Sequence, residues 1–115
     1  QMRQAGNRKI GANYIYWPGS PLIKNGYLEC LEGQSWRVVD TGGIFREIAG
    51  LEFYGGMLVP AGVCGKVACL RPEQPFLSQL DTLYAQGVSV AEVAIIEGAD
   101  LRTLIWKAGA TVRKL

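Results

Sequence analysis

The chain has 115 residues, of which 49% are hydrophobic and 19% are charged, and its formal net charge is +2. This length and composition predict a single folded domain and exclude an intrinsically disordered chain. The sequence contains no histidine, which excludes enzymes of the Ser-His-Asp and Cys-His classes and zinc sites with histidine ligands. We expect no metal ion and no cofactor.

The three cysteines, Cys30, Cys64 and Cys69, are an odd number, so they cannot all form disulfides within one chain. Each has apolar neighbours in the sequence, which predicts small buried thiols in a reducing compartment and hence a cytoplasmic protein. No apolar stretch approaches the ~18 residues of a membrane-spanning helix, so we expect no membrane partner. Residues 1–12 lack periodic apolar positions, and we expect a flexible segment there and a single domain over residues 13–115.

Short apolar runs between glycines predict strands in the first part of the chain, where twelve of the fifteen glycines lie within 65 residues. Asn25-Gly26 and Gly55-Gly56 are dipeptides typical of tight reverse turns, and Glu32-Gly33-Gln34 predicts the turn of a hairpin. The predicted strands cover residues 13–17, 27–31, 36–40, 51–54, 57–59 and 63–70, and residues 44–48 are ambiguous.

The last 45 residues have apolar positions at helical spacing. They predict a helix over residues 74–86 and a shorter one over residues 100–108, with Asp100 as its N-cap and Gly109 as its stop. Residues 111–115 predict a last short strand. Together the elements predict an α+β domain. Its N-terminal part is antiparallel and strand-rich, a rolled sheet or small barrel, and its C-terminal part has two or three helices.

Residues 88–97 fit either a helix or a strand. Ser89 and Glu92 have the spacing of a capping box, whereas the valines and isoleucines favour a strand. With a helix here, residues 87–108 resemble the helix-turn-helix of bacterial regulators and site-specific recombinases. In that comparison Ala94 is the small residue at the helix crossing and Gly98 is the turn.

The resemblance implies that the next helix lies in the major groove of DNA, with Arg102, Thr103, Trp106 and Lys107 facing the DNA. The charge balance argues against a nucleic-acid partner, because residues 74–108 hold two basic and four acidic residues. With a strand over residues 88–97, the chain has no recognition helix and Trp106 is a packing residue.

A second motif, Val38-Val39-Asp40-Thr41-Gly42, resembles the catalytic motif of the aspartic proteases. The resemblance implies a homodimer of the retroviral type, because one chain supplies one motif. In it Asp40 is the catalytic carboxylate, which shares a proton with its counterpart and polarises a water. The alternative is a polar, glycine-rich turn that follows a strand.

Five aromatic residues lie close together in the sequence: Tyr14, Tyr16, Trp17, Tyr27 and Trp36. An exposed group of this kind marks a protein interface or a ligand groove, whereas a buried group belongs to the core. A small sheet also has edges that self-association would cover. We therefore predict a non-enzymatic interaction or assembly domain that forms a homo-oligomer. Helix-turn-helix DNA binding and a dimeric aspartic hydrolase are the alternatives.

Overall fold

The computed structural model describes residues 8–30, 36–41, 50–87 and 92–115. Its strands are β1 (Arg8–Ile15), β2 (Ile23–Lys24), β3 (Tyr27–Cys30), β4 (Trp36–Val39), β5 (Leu51–Pro60), β6 (Val93–Glu97) and β7 (Thr111–Lys114). Between β5 and β6 lie a 3-10 helix (Ala61–Cys69) and the helix α1 (Leu77–Ala85). All seven strands form one sheet in the order β4-β3-β1-β5-β6-β7, with β2 beside β1.

The sheet is mixed and open, so the prediction of an antiparallel rolled sheet or small barrel is wrong. β1 and β5 are parallel neighbours, whereas the other described pairs are antiparallel. The C-terminal strands β6 and β7 extend the same sheet. The expected division into a strand-rich part and a helical part is therefore also wrong, because both parts contribute strands to one sheet.

The central strands carry consecutive buried residues. Residues 56–60 of β5 and 93–96 of β6 are all buried, because side chains on both faces of the sheet pack into a core. Such strands show a continuous apolar run instead of the alternation of a half-exposed strand. A continuous run explains the ambiguity of residues 88–97. Val93–Glu97 is a strand, and residues 88–91 lie outside the described part.

Two hydrophobic clusters lie on opposite faces of the sheet. The helix-side core joins Met57, Val59 and Ile96 to the 3-10 helix and to Phe76, Leu80 and Leu83 of the α1 region. The far-side core is formed by the residues that alternate with these along the strands, and it comprises Ile10, Ala12, Ile15, Ile23, Leu28, Leu58, Val93 and Ile95. Both clusters depend on β5 and β6, which contribute side chains to each.

The strand predicted over residues 63–70 is a 3-10 helix instead. Val63 is buried, Val67 packs beside it on the helix-side core, and Leu70 follows just after the helix end. These three residues are four and three positions apart, which is a helical and not a strand spacing. The valines indicated a strand by their propensity, but the spacing of the buried positions was the better signal.

Neither dipeptide predicted to form a reverse turn reverses the direction of the chain, so those two predictions are wrong. Gly55-Gly56 is part of β5, and Asn25-Gly26 joins β2 to β3, which pair with the same strand β1 in one register. Both dipeptides mark irregular backbone, and both sites are hydrogen-bonded to Asn13 of β1, which lies between them. Asn25 has a φ of 59° and its N–H donates to the carbonyl of Asn13. The Asn13 side chain in turn accepts the N–H of Gly56 at 2.9 Å, where the β1–β5 register shifts.

The prediction of a helix over residues 100–108 is wrong, because residues 100–105 form a turn that is closed by backbone hydrogen bonds. Asp100 and Ile105 exchange two backbone hydrogen bonds of 3.0 Å, and Leu104 has a φ of 59°. Asp100 does act as a cap. Its side chain accepts the N–H groups of Thr103 and Arg102, and these bonds hold the pKa of its carboxyl below the ordinary value. The left-handed residue Leu104 ends the turn before a second helical turn can form.

Three predicted elements are confirmed. The helix predicted over residues 74–86 is α1, residues 111–115 contain β7, and β3 and β4 pair antiparallel as expected. The turn predicted at Glu32-Gly33-Gln34 lies outside the described residues. The flexible segment predicted over residues 1–12 is wrong for residues 8–12, because β1 begins at Arg8 and Ile10 is fully buried. The preceding residues and the ambiguous run 44–48 lie outside the described part.

Gly56 is a position in β5 that has no room for a side chain. Its φ is +139°, and a Cβ there would lie 2.3 Å from the carbonyl oxygen of Ile96 on β6. At Gly55 a Cβ would meet only an Asn13 oxygen at 3.9 Å. We expect Gly56→Ala to lower the free energy of unfolding by about 2–3 kcal/mol and Gly55→Ala to change it by less than about 0.5 kcal/mol, measured by urea unfolding. Equal losses in both variants would contradict this account.

Candidate interaction sites

Among the described strands, β4 and β7 end the strand order of the sheet, and they differ in character. At the β7 edge, Arg113 pairs with Glu97 at 3.3 Å and Lys114 pairs with Glu92 at 3.1 Å. Charged side chains on an edge strand hinder pairing with another strand. β4 at the other edge reads Trp-Arg-Val-Val, so its strand has a single charge. That charge, on Arg37, is paired with Glu29 of β3.

The β4 side chains divide between the two faces of the sheet. Trp36 and Val38 are half-buried and pack against the far-side core. Arg37 points to the other face, where it meets Glu29 directly opposite on β3. Within the described chain no strand pairs with the outer side of β4. This edge therefore presents apolar side chains together with backbone N–H and C=O groups that point away from the sheet.

The five aromatic residues predicted to mark an interface do not form one cluster. Tyr14 and Tyr16 contact the helix-side core, whereas Trp17 and Trp36 contact the far-side core. Tyr27 is a half-buried residue of β3. Their closeness in the sequence does not bring them together, because the sheet separates its two faces. Whether any of the five contacts a partner stays a prediction.

Tyr16, which is buried directly after β1, forms an aromatic pair with the half-buried Tyr84 of α1. Its ring stacks on Tyr84 with centroids 5.7 Å apart, and its hydroxyl donates to the carboxylate of Asp81. The hydroxyl of Tyr84 donates to the carbonyl of Pro60 at 2.6 Å. Burial raises the pKa of both tyrosines well above the ordinary value, and for Tyr16 the hydrogen bond to Asp81 adds to this shift. The pair packs α1 onto the sheet.

The helix-turn-helix geometry is wrong for this chain, because β6 occupies the place of its first helix and a turn that of its second. Trp106 is only 3% exposed and packs edge-on against Phe76, with centroids 5.9 Å apart. The Lys107 ammonium pairs with Glu73 at 3.1 Å. Arg102 and Thr103 are exposed at the tip of the turn. The four residues therefore do not share a DNA-binding face, and Trp106 is a packing residue.

Asp40 is an exposed residue directly after β4. The neighbouring Thr41 donates its hydroxyl to the carbonyl of Asn25 at 2.8 Å, which fastens the strand end to the bend between β2 and β3. Gly42 lies outside the described residues. Proton sharing between two copies of Asp40 requires a dimer, so the catalytic role stays a prediction.

Sequence reasoning missed a groove of about 470 Å³ beside α1. It is lined by Cys69, Arg71, Gln74, Pro75, Ser78, Gln79, Thr82, Leu83 and Gln86. The signal was present in the sequence, because Ser78, Thr82 and Gln86 are four residues apart and share one polar face of the helix. The apolar positions predicted the helix, and the polar positions between them indicate the groove.

Among the described residues no group of three or more His, Cys, Asp or Glu side chains is placed to hold a metal ion. None of the described helices is long and apolar enough to cross a membrane. Comparisons with models of protein families, with curated proteins and with solved structures found no match to this chain.

The raised pKa values of Tyr16 and Tyr84 predict a loss of stability at high pH. The folded protein holds the protons of Tyr16 and Tyr84 more tightly than the unfolded chain does. Their contribution is therefore complete below about pH 10, the ordinary tyrosine pKa, and is lost as the pH rises toward the raised folded-state pKa. We expect the free energy of unfolding to decline less steeply above pH ~10 in Tyr84→Phe than in the parent, measured by urea unfolding. Parallel declines would contradict the assignment.

Proposed function

We propose that this protein is a non-enzymatic assembly domain that self-associates through the β4 edge of its sheet. The observation that carries the proposal is the contrast between the two edges. Ion-paired cations line β7, whereas β4 presents Trp36 and Val38 at an edge with no described neighbour. Pairing with a second copy would satisfy outward backbone groups and bury more of these half-exposed side chains.

The alternation of side chains limits how two β4 strands can pair. When a two-fold axis perpendicular to the sheet relates two β4 strands, residues on the same face lie opposite each other. The residue at the centre of the paired strands is therefore either Arg37 or Val38. An Arg37-centred pair brings two like charges together, which is unfavourable. We therefore favour the antiparallel register in which Val38 of one copy lies opposite Val38 of the other.

The test is the molar mass in solution at micromolar concentration, measured by light scattering and sedimentation. We expect the parent chain to be a dimer. We expect Val38→Lys to raise the dissociation constant at least about tenfold, since an ammonium at the centre of the interface opposes pairing and must be desolvated. Val112→Lys is the matched control, because Val112 is also a half-buried valine on an edge strand, and this variant is expected to remain dimeric.

Thermal unfolding of both lysine variants checks that each is folded, so a monomeric Val38→Lys that melts cooperatively supports the β4 interface. A monomeric parent would refute self-association. A dimer that survives Val38→Lys would assign the interface to another surface.

A cytoplasmic location remains part of the proposal. Cys64 is half-buried and Cys69 is exposed, and neither forms a disulfide with a described residue. Burial raises the pKa of the Cys64 thiol, which makes it less reactive. Thiols of this kind persist in a reducing compartment.

A further inference from the structure

The groove beside α1 has a distinctive charge pattern. Its volume of about 470 Å³ lies within the range of ligand-binding clefts, ~300–1,000 Å³. Arg71 is the only charged residue among those that line it, and the rest of the lining is neutral. The groove therefore carries one positive charge.

Arg71 is held at the groove through its backbone. The Gln79 side chain accepts the Arg71 N–H at 2.7 Å, and its amide nitrogen donates to the carbonyls of Pro75 at 2.9 Å and Arg71 at 3.5 Å. This clamp fastens the segment before α1 to the helix without using the guanidinium. The side chain of Arg71 is exposed, and no carboxylate of the described chain lies within ion-pair distance.

The nearby acids have other partners. Glu73, two residues from Arg71, pairs with Lys107, and Asp81 of α1 accepts the hydroxyl of Tyr16. The charge of Arg71 therefore remains available for a ligand. A guanidinium binds a carboxylate with two parallel hydrogen bonds.

The wall of the groove offers neutral groups at regular intervals. Ser78, Thr82 and Gln86 succeed one another by four residues along α1, and Gln74 lies before the helix. The Thr82 hydroxyl donates to the carbonyl of Ser78, which leaves its oxygen as an acceptor. Side-chain amides offer both a donor and an acceptor, as the backbone of an extended peptide does. An open groove of this kind suits a chain more than a compact ion.

We propose that the α1 groove binds an extended peptide segment with an acidic side chain, whose carboxylate pairs with Arg71. One cation matches one carboxylate, whereas a phosphate or a nucleic acid is normally bound by several cations or by a set of backbone N–H groups. Leu83 and Pro75 supply apolar contact for the rest of the peptide. This site is separate from the β4 edge, so it stands or falls independently of self-association.

The experiment is an amide-resolved NMR titration of the full chain with two capped tripeptides, Gly-Glu-Gly and Gly-Gln-Gly, and with inorganic phosphate. We expect the glutamate peptide to shift the amides of Arg71, Ser78 and Gln79, and the glutamine peptide to bind at least about fivefold more weakly. Arg71→Gln should remove this preference while keeping the backbone clamp. Arg102→Gln, an exposed arginine on the turn after β6, is the matched control and should leave binding unchanged.

Ser78→Tyr tests the groove separately from its charge, because a bulky side chain there would occupy the space and keep Arg71. Loss of binding in this folded variant is expected. Equal affinity for the two peptides, or unchanged binding in Arg71→Gln, would overturn the proposal. Absence of any shift at millimolar peptide would also overturn it. Phosphate shifts that match those of the glutamate peptide would assign the groove to small anions instead.

Discussion

The rest of the structure depends on the parallel pairing of β1 with β5. These strands are separated by the β2–β4 segment in the chain, and their contact sets β3 and β4 on one side of the sheet and β6 and β7 on the other. Both strands become central, and β5 is buried on both faces over residues 56–60. On its other side β5 approaches β6 closely, because Gly56 leaves room for the carbonyl of Ile96. The Asn13 side chain compensates for the register shift by accepting the Gly56 N–H.

Local signals in the sequence predicted some of the local elements. Apolar spacing predicted α1, and the two runs on either side of residues 32–34 predicted the pairing of β3 with β4. Asp100 caps a turn, whereas the sequence predicted that it caps a helix. The topology did not follow from such signals, because parallel pairing between positions as distant in the chain as Lys9 and Leu51 leaves no local pattern in either strand. Glycine dipeptides were misleading for a related reason. Gly55-Gly56 serves a close approach between strands and Asn25-Gly26 a bend, and both needs favour the residues that reverse turns favour.

The predictions of site residues were limited in the same way, because the local sequence does not show what surrounds a residue in the fold. Residue type alone predicted that Trp106 and the aromatic residues near the N-terminus face a ligand. The direction of each side chain depends instead on the fold around it. Tyr16 and Trp17 are neighbours in the chain, yet they pack on opposite faces. The β4 edge and the α1 groove could not be found from composition. Each is defined by its surroundings. No described strand lies on the outer side of β4, and the acids near Arg71 pair with other groups.

The distribution of charge agrees with the proposed binding role. Glu29, Glu52, Glu73, Glu92 and Glu97 each pair with a lysine or arginine. At Glu52 the hydrogen bond from Arg8 lowers the pKa of the carboxyl. General acid–base catalysis by carboxylates needs a group whose pKa is raised toward neutrality, usually by burial or by a second acid. Pairing with Arg8 has the opposite effect at Glu52, and no charged residue of the described chain is buried. Arg71 is exposed and has no carboxylate partner among the described residues, and this is the charge that the proposed peptide site uses.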